Sequence, residues 1–137
     1  MNWTLEVVVL PVTDLDRARA FYEGGLGFRV DHDTTFPGGA RLVQFTPPGS
    51  GCSVVVGSHL RHMAPGSLKG LQLVVNDLRA ARQELLERGV DPGKLQFVGP
   101  QGQRPATDSD DLNYAGFLFF SDPDGNGWAV QQISARP

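Results

Sequence analysis

The chain has 137 residues, of which 40% are hydrophobic and 20% charged, and its 12 Lys and Arg against 15 Asp and Glu give a net charge of −3. This composition is typical of one globular domain and excludes a disordered chain, and the acidic balance argues against nucleic acid, which needs a basic patch. No stretch is apolar enough for a membrane span, no signal peptide is evident, and the single Cys52 has no internal disulfide partner. We therefore expect a cytoplasmic protein with neither a membrane nor a nucleic-acid partner.

The first half of the chain predicts a strand, a helix and three more strands. The β-branched run from Leu5 to Leu10 predicts the first strand, and Asp14 stands where a carboxylate caps a helix. Apolar residues then recur at helical spacing, namely Leu15, Ala18 and Tyr22. Gly24 and Gly25 end the helix. Strands are predicted next at about 28–33, 41–46 and 52–56.

The second half predicts the same order of elements. A strand over 71–75 leads to a helix that begins at the cap residue Asp77 and ends at Gly89. The apolar stripe of this helix consists of Leu78, Ala81 and Leu85. Strands are predicted at about 94–98, 115–120 and 127–133.

Two sequence matches indicate that the halves are duplicates. Residues 12–19 and 75–82 share Val, Asp, Leu, Ala and Arg at an offset of 63, and residues 45–50 match 120–125 at an offset of 75. The difference in offset fits the polar stretch 99–113, which we expect to be either a binding loop or a mobile surface loop. Duplication is therefore the better explanation of the pattern.

Each half is then a β-α-β-β-β module, the first over about 5–60 and the second over about 68–134, within a single domain of residues 1–137. Two modules side by side predict an α+β fold with one curved, mixed sheet of eight strands and helices on the outside. The concave face is the large surface that helix packing leaves over, so we expect a ligand there.

The motifs resemble those of the vicinal oxygen chelate superfamily. They are Val12-Thr13-Asp14-Leu15 with Phe21-Tyr22, then Leu26-Gly27-Phe28, and the closing run Phe120 to Asn126. The resemblance implies the glyoxalase/bleomycin resistance fold and a homodimer, because members often pair through sheet edges. It does not imply one reaction, since the family includes lyases, isomerases, dioxygenases and metal-free binding proteins.

The resemblance also implies four positions where metal-using members place His, Gln or Glu ligands on the first and last strands of each module. In this chain the positions hold Val7 and Gly70, seven residues before the helix caps, and Val54 and Ala129 in the last strands. None of these side chains offers a donor atom to a metal ion. We therefore expect no metal cofactor.

The same positions predict the lining of a small-molecule cavity. Gln72 and Gln131 each stand two residues from a ligand position and share its strand face. Two neutral amides make a weak metal site, but they would orient an organic ligand between apolar walls. The predicted lining residues are Val7, Val9, Phe45, Val54, Val56, Gln72, Tyr114, Ala129 and Gln131.

Three residues are candidates for acid-base catalysis, each with a structural alternative. His32 lies between Asp31 and Asp33, a setting that favours the imidazolium, but it also suits a polar strand edge. Glu6 would become an acid-base group if the first strand buried it, and would otherwise reach solvent. Tyr114 ends a long loop and could close over the cavity with its hydroxyl, or belong to a plain surface loop.

Three functions follow from these features. The one we favour is a metal-free cavity for a small, partly apolar or planar organic molecule, in a binding or resistance-type protein or a metal-independent enzyme. The second is a metal-dependent lyase, isomerase or dioxygenase like the glyoxalases. The third is a non-catalytic dimeric scaffold.

Overall fold

The computed structural model describes residues 1–136, and these residues form two compact units. Unit 1 contains residues 1–68 together with 122–126, and unit 2 contains residues 69–121 and the chain from 127 onward. Within the described chain, no helix is long and apolar enough to cross a membrane.

Unit 1 consists of a four-stranded sheet and one helix. Its elements are β1 (Val7–Val9), α1 (Leu15–Arg19), β2 (Arg29–Thr35), β3 (Arg41–Thr46) and β4 (Ser53–Gly57). The strand order is β1-β4-β3-β2, with β1 parallel to β4 and the other pairs antiparallel. The helix begins as predicted, because the Asp14 carboxylate accepts the Arg17 backbone N–H at 3.0 Å. It continues as a π-helical turn over Ala20–Gly25.

The core of unit 1 lies between this helix and the sheet. The Tyr22 ring packs against Phe28 and Phe45, with centroids 5.9 and 5.5 Å away, and all three side chains are buried together with Ala18. The apolar stripe read from the sequence therefore faces the sheet.

The 122–126 loop belongs to unit 1 because two buried polar side chains anchor it there. Asp122 accepts the Tyr22 hydroxyl at 2.6 Å and the Asn126 side-chain amide at 2.8 Å. Asn126 also donates to the Pro11 carbonyl at 2.9 Å and accepts the Leu68 backbone N–H at 3.1 Å. These partners satisfy polar groups that would be costly to bury alone.

Unit 2 consists of a five-stranded sheet and one longer helix. Its elements are β5 (Leu71–Val75), α2 (Leu78–Glu87), β6 (Gln96–Gly99), β7 (Gly102–Pro105), β8 (Gly116–Ser121) and β9 (Gly127–Gln132). The strand order is β5-β9-β8-β6-β7, with β5 parallel to β9. Asp77 caps α2 by accepting the Ala80 N–H at 3.1 Å, and Gly89, with a φ of 82°, follows the helix end.

The α+β fold and the order of elements confirm the prediction, but the number of strands and the number of sheets both differ from it. The described residues form nine strands in two hydrogen-bonded sheets, where one sheet of eight strands was expected. The additional strand is β7, which lies inside the polar stretch 99–113 and is exposed along its length. The sequence of β7 has no alternation of apolar and polar residues from which a strand could be predicted. The Arg104 guanidinium of β7 lies over the Phe97 ring of β6, 4.4 Å from its centroid.

Candidate functional site

Strand register fixes which side chains of unit 2 point away from α2. A Cβ at Gly116 would contact the side chains of Leu78 and Leu112, so Gly116 faces the helix and Phe117 and Phe119 face the other way. Phe117 pairs with Gln131, Phe119 with Ala129, and Ala129 with Gln72. We refer to this set as the helix-free face of unit 2; it comprises Gln72, Phe117, Phe119, Ala129 and Gln131.

Two parallel aromatic rings dominate the helix-free face of unit 2. The planes of Phe117 and Phe119 differ by 4° and their centroids are 5.8 Å apart. The Phe119 side chain keeps 44% of its surface exposed. Because the rings are parallel, a planar molecule that stacks on one of them is parallel to the other as well.

A depression of about 430 Å³ adjoins the exposed ring. Its lining includes Gly70, Phe119, Trp128 and Ala129. A Cβ at Gly70, whose φ is 89°, would have no other atom within 4 Å, so the small residues Gly70 and Ala129 leave this space open. The volume lies within the usual range for small-molecule pockets.

The two glutamines of this face are hydrogen-bonded to each other. Gln72 Nε2 donates to Gln131 Oε1 at 2.7 Å, and Gln131 Nε2 donates to the Tyr114 backbone carbonyl at 2.7 Å. We call these three groups the amide relay. Tyr114 has a φ of 64°, the one positive value among the non-glycine residues of the described chain, and this strained backbone aims its carbonyl at Gln131.

The loop that carries Tyr114 is tied down at both ends. Arg104 donates two hydrogen bonds of 2.8 Å to the Asp110 carboxylate, and with the Thr107 backbone N–H it holds the Asp110 pKa well below its usual range. At the other end, Asn113 Oδ1 accepts the Ser134 backbone N–H at 2.8 Å. The stretch 99–113 is therefore an ordered loop with its own strand.

The placement predicted for Phe45, Val54 and Val56 is wrong. Val7 pairs with Ser53 and Val9 with Val55, so Val7 and Val9 lie on the sheet face opposite to Val54. Phe45 pairs with Val54 and Val43 with Val56, and these side chains are buried on the side that carries Tyr22. The three residues belong to the core of unit 1 and do not line a cavity with Val7 and Val9.

A one-residue difference between two loops explains this error. Phe45 pairs with Val54, nine residues further on, whereas Phe120 pairs with Trp128, eight residues further on. The two halves therefore align at an offset of 75 residues up to the loop between these paired strands, and at an offset of 74 residues after that loop. Val55, and not Val54, is the counterpart of Ala129.

The metal-ligand positions remain without donors after this correction. The four positions that correspond to metal ligands now hold Val7, Val55, Gly70 and Ala129. None of these residues has a side-chain atom that can bind a metal ion. Within residues 1–136, no group of three His, Cys, Asp or Glu side chains is arranged to hold a metal ion. The residues present do not fit the ion that metal-using relatives bind.

His32 is an exposed residue between two carboxylates that other side chains engage. It lies on β2 opposite Gln44 and is exposed, while both flanking carboxylates bind other groups. Asp31 accepts from Arg29 and from the Thr46 hydroxyl. Asp33 accepts hydrogen bonds from Arg41 and Arg19, which lower the pKa of Asp33 to about 2.

The other two acid-base candidates are both exposed. Glu6 is exposed, so the burial that its catalytic role requires is absent. Tyr114 keeps 42% of its surface exposed, and it contacts the helix-free face of unit 2 through its backbone carbonyl.

Sequence reasoning missed Phe117 and Phe119. The run Gly116 to Phe120 predicts a strand, but its residues after Gly116 are all apolar, so no alternation reveals which ones face the helix. The glycine at 116 is the available signal, because a residue without a side chain in a strand indicates close packing on its side.

Comparison with known proteins places the chain in a family. A family model described as the Glyoxalase/Bleomycin resistance protein/Dioxygenase superfamily matches residues 4–130. A glyoxalase/bleomycin resistance protein from Streptomyces sp. CB03234 is 31% identical, covers 94% of this chain and 100% of its own, and has a TM-score of 0.69. No curated protein matches the chain.

Two further solved structures show similar agreement. TnmS3, an antibiotic binding protein from Streptomyces sp. CB03234, is 31% identical over 97% of this chain and 98% of its own, with a TM-score of 0.71. A superfamily member from Sphaerobacter thermophilus DSM 20745 is 29% identical over 96% and 98%, also with a TM-score of 0.71. The chain therefore belongs to the Glyoxalase/Bleomycin resistance protein/Dioxygenase superfamily.

Proposed function

We propose that this protein binds a small, planar and partly apolar organic molecule on the helix-free face of unit 2, without a metal ion. The observation that carries the proposal is the exposed Phe119 ring, which is parallel to the half-buried Phe117 ring and lines a depression of about 430 Å³. Aromatic side chains left exposed beside a concavity are typical of binding surfaces.

The chemistry of this face matches a planar ligand better than a flexible aliphatic one. Ring stacking adds about 0.5–1.5 kcal/mol to the gain from covering apolar surface. The amides of Gln72 and Gln131 supply polar contacts that fix orientation, which is the usual division of roles in a small-molecule site. Ala129 on β9 pairs with Phe119 on β8, and its small side chain leaves the Phe119 ring accessible to the ligand.

A similar protein supports this ligand class. TnmS3, which is 31% identical over nearly the whole of both chains, is described as an antibiotic binding protein. Sequestration of such a compound is therefore the role that we propose.

Independence from metal rests on the donor set. The side chains of Gly70 and Ala129 offer no donor atoms, and Gln131 Oε1 already accepts a hydrogen bond from Gln72. A divalent ion needs several N, O or S ligands, and the side chains of this face offer it two neutral amide oxygens, of which one already accepts a hydrogen bond.

The homodimer and the cytoplasmic location are proposals from the resemblance and the composition. Light scattering on the purified protein tests the first: a mass of twice 14.8 kDa is expected, and a monomer at micromolar concentration would refute it.

The proposed function is tested with EDTA-treated protein and a panel of planar aromatic compounds. Ligands stabilise a protein in proportion to ln(1 + [L]/Kd), so we expect a rise in the melting temperature with planar probes such as 2-naphthol and none with cyclohexanol. Stabilisation that requires added Zn, Ni, Fe or Mn, or stoichiometric metal in elemental analysis, would support a metal enzyme instead. No response to any planar compound would support a scaffold.

A further inference from the structure

We propose that the amide relay makes the site selective for aromatic molecules that carry a hydrogen-bond donor, such as a phenolic hydroxyl or a ring N–H. The inference rests on the proposed function, because it concerns the chemistry of the ligand bound on the same face. It assigns the selectivity to Gln72, whose orientation is fixed by Gln131 and Tyr114.

The hydrogen-bonding capacity of the three groups fixes which atom donates at each step of the amide relay. A backbone carbonyl only accepts hydrogen bonds, so Gln131 must turn its NH₂ group toward Tyr114. The Oε1 atom of Gln131 then faces Gln72 and only accepts, so Gln72 must turn its own NH₂ group toward Gln131. Both contacts are 2.7 Å long, and a flipped amide at either residue would bring two oxygens together.

Tyr114 anchors this direction to the backbone. Its N–H donates to the Gln132 carbonyl at 2.9 Å and the next residue, Ala115, donates to the Leu112 carbonyl at 3.0 Å. These bonds hold Tyr114 at a φ of 64°, which a non-glycine residue adopts only when its surroundings impose it. The carbonyl that starts the relay is therefore fixed.

The consequence is an acceptor at a defined place beside the aromatic rings. Gln72 Oε1 takes part in no hydrogen bond with residues 1–136, and Gln72 is exposed on β5 opposite Ala129. An isolated glutamine would rotate its amide to suit either a donor or an acceptor on the ligand. Here the rotation would break the Gln72–Gln131 hydrogen bond and bring two amide oxygens together, so at the position of Oε1 a ligand donor is favoured over a ligand acceptor.

A pair of probes that differ only at the donor tests this selectivity. 2-Naphthol and 2-methoxynaphthalene present the same ring system, but only 2-naphthol donates a hydrogen bond. For EDTA-treated wild-type protein we expect 2-naphthol to bind about two to ten times more tightly, the range that one hydrogen bond supplies. In Gln131→Met the amide of Gln72 is released, and the preference should fall to about one.

The matched control is Gln83→Met, which removes a glutamine of α2 that is exposed and donates to Glu87. It should keep the preference for 2-naphthol. If Gln131→Met does not fold by circular dichroism, Gln72→Met removes the acceptor directly and should also abolish the preference. A preference that survives both substitutions overturns the inference.

The outcomes separate this inference from the proposed function. Equal binding of the two probes to wild-type protein, with both weakened by Phe119→Ala, overturns the selectivity and leaves the binding face intact. Binding of neither probe overturns both.

Discussion

Replacement of Phe119 by Ala should weaken ligand binding with little loss of stability. The side chain keeps 44% of its surface exposed, which is about 90 Å² for a ring that offers roughly 200 Å². At about 25 cal/mol per Å², full coverage by a ligand contributes about 2 kcal/mol. Because alanine retains part of that surface, we expect a loss of about 1–2 kcal/mol, or about a 5- to 30-fold rise in Kd.

The assay is isothermal titration of EDTA-treated protein with 2-naphthol, and the matched control is Phe36→Ala. Phe36 is also 44% exposed but belongs to unit 1, where its ring meets that of His59 at 6.5 Å. Both variants lose an equally exposed ring, so a general effect on the protein would appear in both. An unchanged Kd in Phe119→Ala, or an equal rise in Phe36→Ala, would refute the assignment of the site.

Three other predictions concern the site and the stability of the fold. Ala129→Trp should fill the depression beside Phe119 and abolish the thermal shift with 2-naphthol, while circular dichroism stays that of the wild type; retained binding would place the ligand elsewhere. Tyr22→Phe removes the hydroxyl that donates to the buried Asp122 carboxylate, and it should lower the free energy of unfolding in urea by about 1–3 kcal/mol. A loss below about 0.5 kcal/mol, on the order of experimental error, would contradict the stabilising role of this hydrogen bond. The pKa of Asp33 is lowered to about 2, so its contribution to stability is present above about pH 4 and is lost as the pH falls through about 2. The free energy of unfolding of the wild type should exceed that of Asp33→Asn by about 1 kcal/mol at pH 6, and the two values should converge below about pH 2. A difference that stays constant with pH would contradict this role of Asp33.

The starts of the helices were predictable because their signals are local. Asp14 and Asp77 cap their helices as the sequence indicates, since a side-chain cap needs only residues within one turn. The same holds for the spacing of Gln72 and Gln131, which two-residue strand periodicity places on one face and the structure brings into contact.

The faces of the other strands were not predictable from the same signals. β4 is buried along its whole length, so polar and apolar residues do not alternate along it. One extra residue in the preceding loop therefore made Val54, and not Val55, the predicted counterpart of Ala129. In a strand, a one-residue slip moves every side chain to the opposite face. The orientation of Phe117 and Phe119 was not predictable for a similar reason, because both lie within a wholly apolar run.

The direction of the amide relay also lies beyond sequence reasoning. It depends on the carbonyl of Tyr114, whose left-handed backbone is imposed by Leu112, Asn113 and the strand β9. A tyrosine gives no local signal for that conformation, unlike glycine or asparagine. The sequence therefore predicted that Tyr114 would contribute its hydroxyl to the site, whereas in the structure its backbone carbonyl contacts the helix-free face of unit 2.

The most direct test of the metal-free binding face is nuclear magnetic resonance of EDTA-treated, ¹⁵N-labelled protein titrated with 2-naphthol. The account predicts that the side-chain NH₂ signals of Gln72 and Gln131 and the backbone signals of Phe117 and Phe119 shift together, while those around Phe36 stay unchanged. Shifts confined to unit 1, or shifts that appear only after a divalent metal ion is added, would contradict it.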